Sequence, residues 1–292
     1  MKALSSILAL ICLLTPTIHA EEAASPTAGL RIIENIRYSE TAGEKGFGDL
    51  YLPAEPKNAR PLLLIHGGAW KKMDRFRMNR VAEFLAAQGY AVFNVSYRLI
   101  PQADYPACEQ DCITAGNFLL EASHPDMAQL DRSKLVVIGA SAGGHLALMT
   151  GLKLPPDRVA GIIDISGPTD LTSPEIRNLM IGSGMFKGQP SEQYEASLRA
   201  ASPVTIAADK APADLPPLLV LQSENDKIVE AIQARKIADL WKQKARPLQE
   251  YFWPGREGMT HDIWRSSANG PFLREELEAQ IRTFLETYFP KS

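Results

Sequence analysis

The stretch Lys134-Leu-Val-Val-Ile-Gly-Ala-Ser-Ala-Gly-Gly-His-Leu-Ala-Leu-Met149 decides the fold. It opens as an apolar, β-branched run of strand length, breaks at Gly139-Ala-Ser-Ala-Gly143, and resumes at once in residues that favour a helix. A chain that turns this sharply from strand to helix lifts the residue at its tip, Ser141, clear of its surroundings. The turn strains the tip backbone and draws together the residues two before and two after it, where a Cβ would collide. Gly139 and Gly143 occupy those two positions. A hydroxyl is a poor nucleophile at neutral pH, so a serine presented in this way is a candidate nucleophile that must meet both a base and a carbonyl.

Working outward, the short buried-strand pattern Pro61-Leu-Leu-Leu-Ile65 runs into His66-Gly-Gly-Ala-Trp70. A Gly-Gly loop just past a strand leaves backbone N–H groups free to meet the negative charge that grows on a carbonyl oxygen during acyl transfer. Ala142 supplies one such donor. Gly68 and Ala69 are the candidates for the others, with Gly67 the neighbouring alternative, because the sequence does not say which peptide turns its N–H inward.

Composition sets the wider frame. With 45% hydrophobic and 22% charged residues and a net charge of −3, the chain lacks the basic excess of a nucleic-acid binder. The first residues carry Lys2, the apolar run Ile7–Leu14, Pro16 and the small Ala20 before Glu21-Glu22, the layout of a signal peptide over 1–20. The run is too short to span a bilayer, and the bulky Ile11 before Cys12 argues against lipid attachment. Export to a periplasm or medium is therefore expected. Cys108 and Cys112 remain, four apart in a predicted helix, a spacing whose Cβ directions suit two core-facing thiols better than a disulfide.

Strand patterns at 31–38, 47–52, 61–66, 90–96, 134–139, 159–165, 217–222 and 247–253 alternate, after a hairpin start, with helix patterns at 76–88, 107–122, 142–153, 228–244 and 271–288. This predicts an eight-stranded, mostly parallel sheet with helices on both faces, in one catalytic domain over 21–292. The long interval of about 166–215 between strands 6 and 7 reads as a small cap with a helix at Gln189–Ala201.

A base is needed beside Ser141. Of the histidines outside the leader, His66 and His124 come too early in a site whose chain order is Ser, acid, His. His145 lies one helical turn beyond Ser141 and points along the helix. His261, in a loop after the last strand pattern, remains. His66 is expected to brace its loop, His145 to pack, and His124 to lie at the surface. The acid is sought after a strand end: Asp226 leads, following Pro217–Leu221, with Asp170 and Glu224 as competitors. Trp70, Met185 and Trp264 are candidates for a substrate pocket, with Met73, Met180 and Phe186 near them. Lys71, Lys72, Arg75, Arg77 and Arg80 read as a solvated basic helix start. The chemistry requires no cofactor, and no His/Cys cluster offers a metal site.

With these residues in place, the chain resembles the α/β-hydrolase esterases related to hormone-sensitive lipase and the bacterial feruloyl-esterase-like (BD-FAE-type) group. The resemblance rests on His66-Gly-Gly-Ala-Trp70, Ser96-Tyr-Arg-Leu-Ile-Pro-Gln-Ala-Asp-Tyr-Pro-Ala107, Gly139-Ala-Ser-Ala-Gly-Gly-His-Leu-Ala147, Glu224-Asn-Asp226 and His261. It implies an α/β-hydrolase fold in which Ser141 attacks, His261 carries the proton, Asp226 orients it and the oxyanion loop contains Gly67 and Gly68. Ala69 stands where a third glycine is common, and Gly258-Met-Thr260 departs from the small residues usual before the histidine. The implied activity is that of an exported carboxylesterase on small or carbohydrate-linked esters of acetyl or feruloyl type. A His-Gly-Gly-x-Trp loop is also similar to that of kynurenine formamidases, which keeps an aryl-formamidase, or a peptidase with the same triad, as the alternative. Intact Ser, His and acid argue against a binding protein that has lost catalysis.

Overall fold

The computed structural model describes residues 29–254, 261–264 and 274–291. The expected signal peptide and Gly258–Thr260 lie outside these residues. Eight strands form one sheet: β1 Arg31–Arg37, β2 Phe47–Leu52, β3 Pro61–Ile65, β4 Ala91–Val95, β5 Leu135–Ala140, β6 Val159–Ile165, β7 Leu218–Ser223 and β8 Leu248–Trp253. Their order is β1-β2-β4-β3-β5-β6-β7-β8. β2 pairs antiparallel with β1 and with β4, and every other pair is parallel. This is the eight-stranded, mostly parallel sheet that the alternating patterns predict, in the α/β-hydrolase arrangement that the resemblance implies.

The central strands carry no polar face. Every residue of β3, β5 and β6 is buried, as a parallel sheet covered on both sides requires. The pleat divides them: Leu63, Ile65 and Val137 join α2 (Ala107–Glu121), α3 (Ala142–Lys153) and α7 (Ala231–Gln243) in one core. Leu62, Leu64, Val136 and Ile138 join α1 (Asn79–Ala87) and α8 (Glu275–Tyr288) in the other. Cys108 and Cys112 are free thiols buried in the first core, and burial pushes Cys108 up to about 12.

Three helices lie between β6 and β7 where one was expected: α4 Arg177–Ser183, α5 Ser191–Ala200 and α6 Pro203–Asp209. The segment is tied down at both ends, Val204 N–H donating to Thr169 O and Leu171 N–H to Ser202 Oγ. Lys71 reaches across from the loop after β3 to Gly182 O, at 2.9 Å.

The basic run after Trp70 is not uniformly solvated. A single 3₁₀ turn, Arg75–Met78, precedes α1, and Arg75 is buried, its Nε 2.7 Å from Asp49 Oδ2 on β2 and an Nη 2.7 Å from Asn35 Oδ1. The sequence reading missed this because Asp49 lies in an earlier strand, with nothing local to signal the pairing. Among the described residues no helix is long and apolar enough to cross a membrane.

Candidate active site

The loops after β3, β5, β7 and β8 all leave the carboxyl edge of the sheet, and in open α/β sheets that edge is where sites are built. Ser141 lies between the end of β5 and the first residue of α3, with φ 56° and ψ −123°. A non-glycine residue holds such a backbone only when its surroundings over-determine it, at a cost of order 1–3 kcal/mol. Here Ser141 N–H donates to Ile165 O on β6, while Ser141 O accepts from His145 N–H in α3. A Cβ on Gly139 would stand 2.0 Å from Gly143 O, and one on Gly143 would stand 2.3 Å from Ile65 O. Both glycines are therefore dictated by close backbone approach.

His261 places Nε2 2.8 Å from Ser141 Oγ and Nδ1 2.7 Å from Asp226 Oδ2. All three side chains are buried, Ser141 and His261 keeping 9% and 8% of their surface exposed and Asp226 3%. The Asp226 carboxylate is fully engaged: Oδ1 accepts from the N–H groups of Ile228 and Val229, and Oδ2 accepts from Gln222 Nε2 as well as from the imidazole.

The competing acids stand elsewhere. Asp170 binds Thr172, Ser173 and Lys236, and these bonds hold its carboxyl below the usual range against the opposing effect of burial. Glu224 is exposed and pairs with Arg235.

The loop after β3 carries three successive positive φ values, 122° at Gly68, 52° at Ala69 and 59° at Trp70. Gly68 is required, since a Cβ there would meet Lys72 O at 2.0 Å. A Cβ on Gly67 would come within 3.1 Å of Ser141 Cβ, so this loop runs directly against Ser141. Among the described residues no backbone acceptor takes the N–H of Gly68 or Ala69, and Ala142 N–H, at the first position of α3, has no intrahelical acceptor.

His66 braces this loop. It is fully buried, its Nδ1–H donates to Gly67 O at 2.6 Å, and its ring stacks on Tyr97 with centroids 4.2 Å apart. Tyr97 Oη–H donates to His66 O at 3.0 Å. Burial lowers His66 to about 4, leaving the ring neutral near pH 7. His145 is buried in α3, and His124 is half-buried ahead of a 3₁₀ turn, where it accepts from Asp126 N–H.

Of the pocket candidates, Trp264 sets its ring edge-on to His261, with centroids 5.3 Å apart. Met185 and Met180 are buried in the first core, Phe186 packs on Tyr105 and Tyr194, and Met73 is exposed. Trp70 has no exposed surface, and its indole N–H is spent on His145. It supports the loop from beneath. Gln222 escaped the sequence reading, although a lone amide ending an apolar strand just before the acid's turn was its signal. Among the described residues no group of three His, Cys, Asp or Glu is placed to hold a metal ion.

The BD-FAE family model matches residues 48–240 of the chain, more than half of it. Esterase LipC of Mycobacterium tuberculosis is 27% identical over 237 residues, covering 75% of this chain and 57% of LipC, so the chain spans little more than half of that relative's length. Among solved structures, esterase B from Lactobacillus rhamnosis superposes with a TM-score of 0.73 at 20% identity, over 88% of this chain and 86% of that one. A truncated carbohydrate esterase from gut microbiota superposes at 0.71 with 21% identity, over 88% and 96% of the two chains.

Proposed function

Because the chain belongs to the BD-FAE family, we propose that it is a serine carboxylesterase, exported by its N-terminal leader and acting on small or carbohydrate-linked esters of acetyl or feruloyl type. The observation that carries this reading is the continuous relay from Ser141 Oγ through His261 to Asp226, at 2.8 and 2.7 Å. Both distances are those of formed hydrogen bonds, so nucleophile, base and orienting acid are already aligned.

In the proposed reaction Ser141 Oγ attacks the ester carbonyl while His261 Nε2 takes its proton. The carbonyl π pair moves onto oxygen, and the N–H groups of Ala142, Gly68 and Ala69 are the donors for that charge. Collapse breaks the bond to the alcohol oxygen, which leaves with the proton from His261, and an acyl-enzyme remains on Ser141. Water, deprotonated by His261, then adds to the acyl carbon. Collapse of this second adduct releases the carboxylic acid and returns the proton to Ser141. Throughout, Asp226 holds Nδ1–H and steadies the imidazolium.

The names of similar proteins support the ester class: LipC is an esterase, and one structural neighbour is a carbohydrate esterase. The test is hydrolysis of p-nitrophenyl acetate, acetylated sugars, feruloyl esters and N-formylkynurenine by the purified chain and by Ser141→Ala. Ester turnover lost in the variant is expected. Turnover unchanged by Ser141→Ala would overturn the mechanism, and turnover confined to the formamide would replace esterase with amidase.

A further inference from the structure

The loop that offers Gly68 and Ala69 holds two non-glycine residues, Ala69 and Trp70, at positive φ, a conformation that needs external support. That support converges on Trp70. Its carbonyl accepts from Ile100 N–H at 2.8 Å, and its fully buried indole donates from Nε1 to His145 Nδ1 at 3.2 Å. The two rings meet edge to face, with centroids 5.3 Å apart.

An imidazole accepts at Nδ1 only if the proton sits on Nε2. Ala201 O, at the end of α5, lies 2.8 Å from His145 Nε2 and can only accept, so it fixes that tautomer. A chain of directed bonds thus runs from the end of a helix in the β6–β7 segment, through His145 on the helix that carries Ser141, to the strained loop. Burial keeps the ring neutral near pH 7, which preserves the bare Nδ1 acceptor.

We infer that His145 is a positioning residue for the oxyanion donors: its Nδ1 anchors Trp70 and thereby holds Gly68 and Ala69 aimed at the carbonyl oxygen. This rests on the proposed acyl-transfer reading, and His145 itself touches no reacting atom. Because the oxyanion exists only in the transition state and the intermediates, disorder in its donors lowers kcat and kcat/KM together and leaves KM nearly unchanged.

Two isosteric amides separate this role from packing. In His145→Asn the side-chain oxygen hangs from the same carbon as Nδ1 and can still accept from Trp70, while the bond to Ala201 is lost. In His145→Gln the amide nitrogen reaches the place of Nε2 and keeps Ala201, while the acceptor at the Nδ1 position is lost. With p-nitrophenyl acetate, His145→Gln and Trp70→Phe are expected to lower kcat by about tenfold or more with KM within about twofold, and His145→Asn to restore kcat to within about threefold. Melting temperatures of the two amide variants should fall alike. Equal kcat in His145→Asn and His145→Gln overturns the inference. If neither folds, Trp70→Phe decides alone, since it keeps the ring in the core and unchanged kcat in it overturns the inference equally. Ser141→Ala, run alongside, shows whether the proposed reaction itself has failed.

Discussion

A carboxylate steadies an imidazolium only when its own position is fixed, and Asp226 is fixed through both oxygens. Oδ1 is held by two backbone N–H groups and Oδ2 by Gln222, so the bond to His261 Nδ1 starts from a preset acceptor. Asp226→Asn removes the charge and can turn an amide N–H toward Nδ1. That favours the tautomer with its proton on Nε2, which cannot take one from Ser141. The expected loss in kcat on p-nitrophenyl acetate is about 10³–10⁴-fold, with Asp170→Asn and Glu224→Gln within about threefold of wild type. A loss of that size in Asp170→Asn instead would move the acid to the end of β6. The choice among the three was legible only as an order of preference, because chain position after a strand end is local information. What separates them is long-range: Asp170 is claimed by Lys236 and Glu224 by Arg235, both on α7. Gln222 differs, since its partners Asp226 and Val229 lie within seven residues and its amide at the end of an apolar strand was a local signal left unread.

At the scale of elements, the turn at Ser141 is a backbone contact, and side chains are excluded from it. A methyl on Gly139 would sit 2.0 Å from Gly143 O and 2.3 Å from its carbonyl carbon, and the first turn of α3 cannot retreat without carrying Ser141 with it. Gly139→Ala is expected to cost about 3 kcal/mol or more in urea denaturation. Gly182 offers the contrast, since a Cβ there meets nothing within 4 Å inside α4. Gly182→Ala should gain about 0.4–1 kcal/mol by restricting the unfolded chain. A small loss in the first variant, or a loss in the second, would mean the turn or α4 is built differently. The elements most legible from sequence were those with an unbroken apolar run or a long apolar stripe, such as β3, β5 and β6, whose residues are all buried, and the longer helices packed on them. The helices α4 and α6, seven residues each, were not. At about two turns each they are too short to set a period, and α6 is held by a tertiary bond, Val204 N–H to Thr169 O.

Over the whole molecule, burial leaves three titratable groups whose protonation opposes one another, and their balance sets how stability depends on pH. His66 and His145 are lowered from 6.5 to about 4 by burial, and Asp164, on β6, is raised from 3.8 to about 7 by the same cause. From pH 6.5 down to about 4, the unfolded chain binds two more protons than the native one through the histidines. Over that span the native chain keeps one proton on Asp164 that the unfolded chain has released. Unfolding therefore takes up one proton net, and stability falls on acidification by about 1.4 kcal/mol per pH unit, roughly 3 kcal/mol across the window. Between 6.5 and 7 the histidines no longer differ between the two states. Asp164 alone then makes stability fall as pH rises, which puts the maximum near pH 6.5. Asp131 and Asp170, both held below their usual range, add their loss only at the acid end. The decisive variant is Asp164→Asn, which removes the opposing group. Urea midpoints taken from pH 4.5 to 7.5 should then show the acid slope doubled, to about 2.7 kcal/mol per pH unit, and no decline above 6.5. An unchanged slope would mean that Asp164 is already ionised in the native protein, with its charge neutralised by a group other than Gly167 N–H, which donates to its Oδ1.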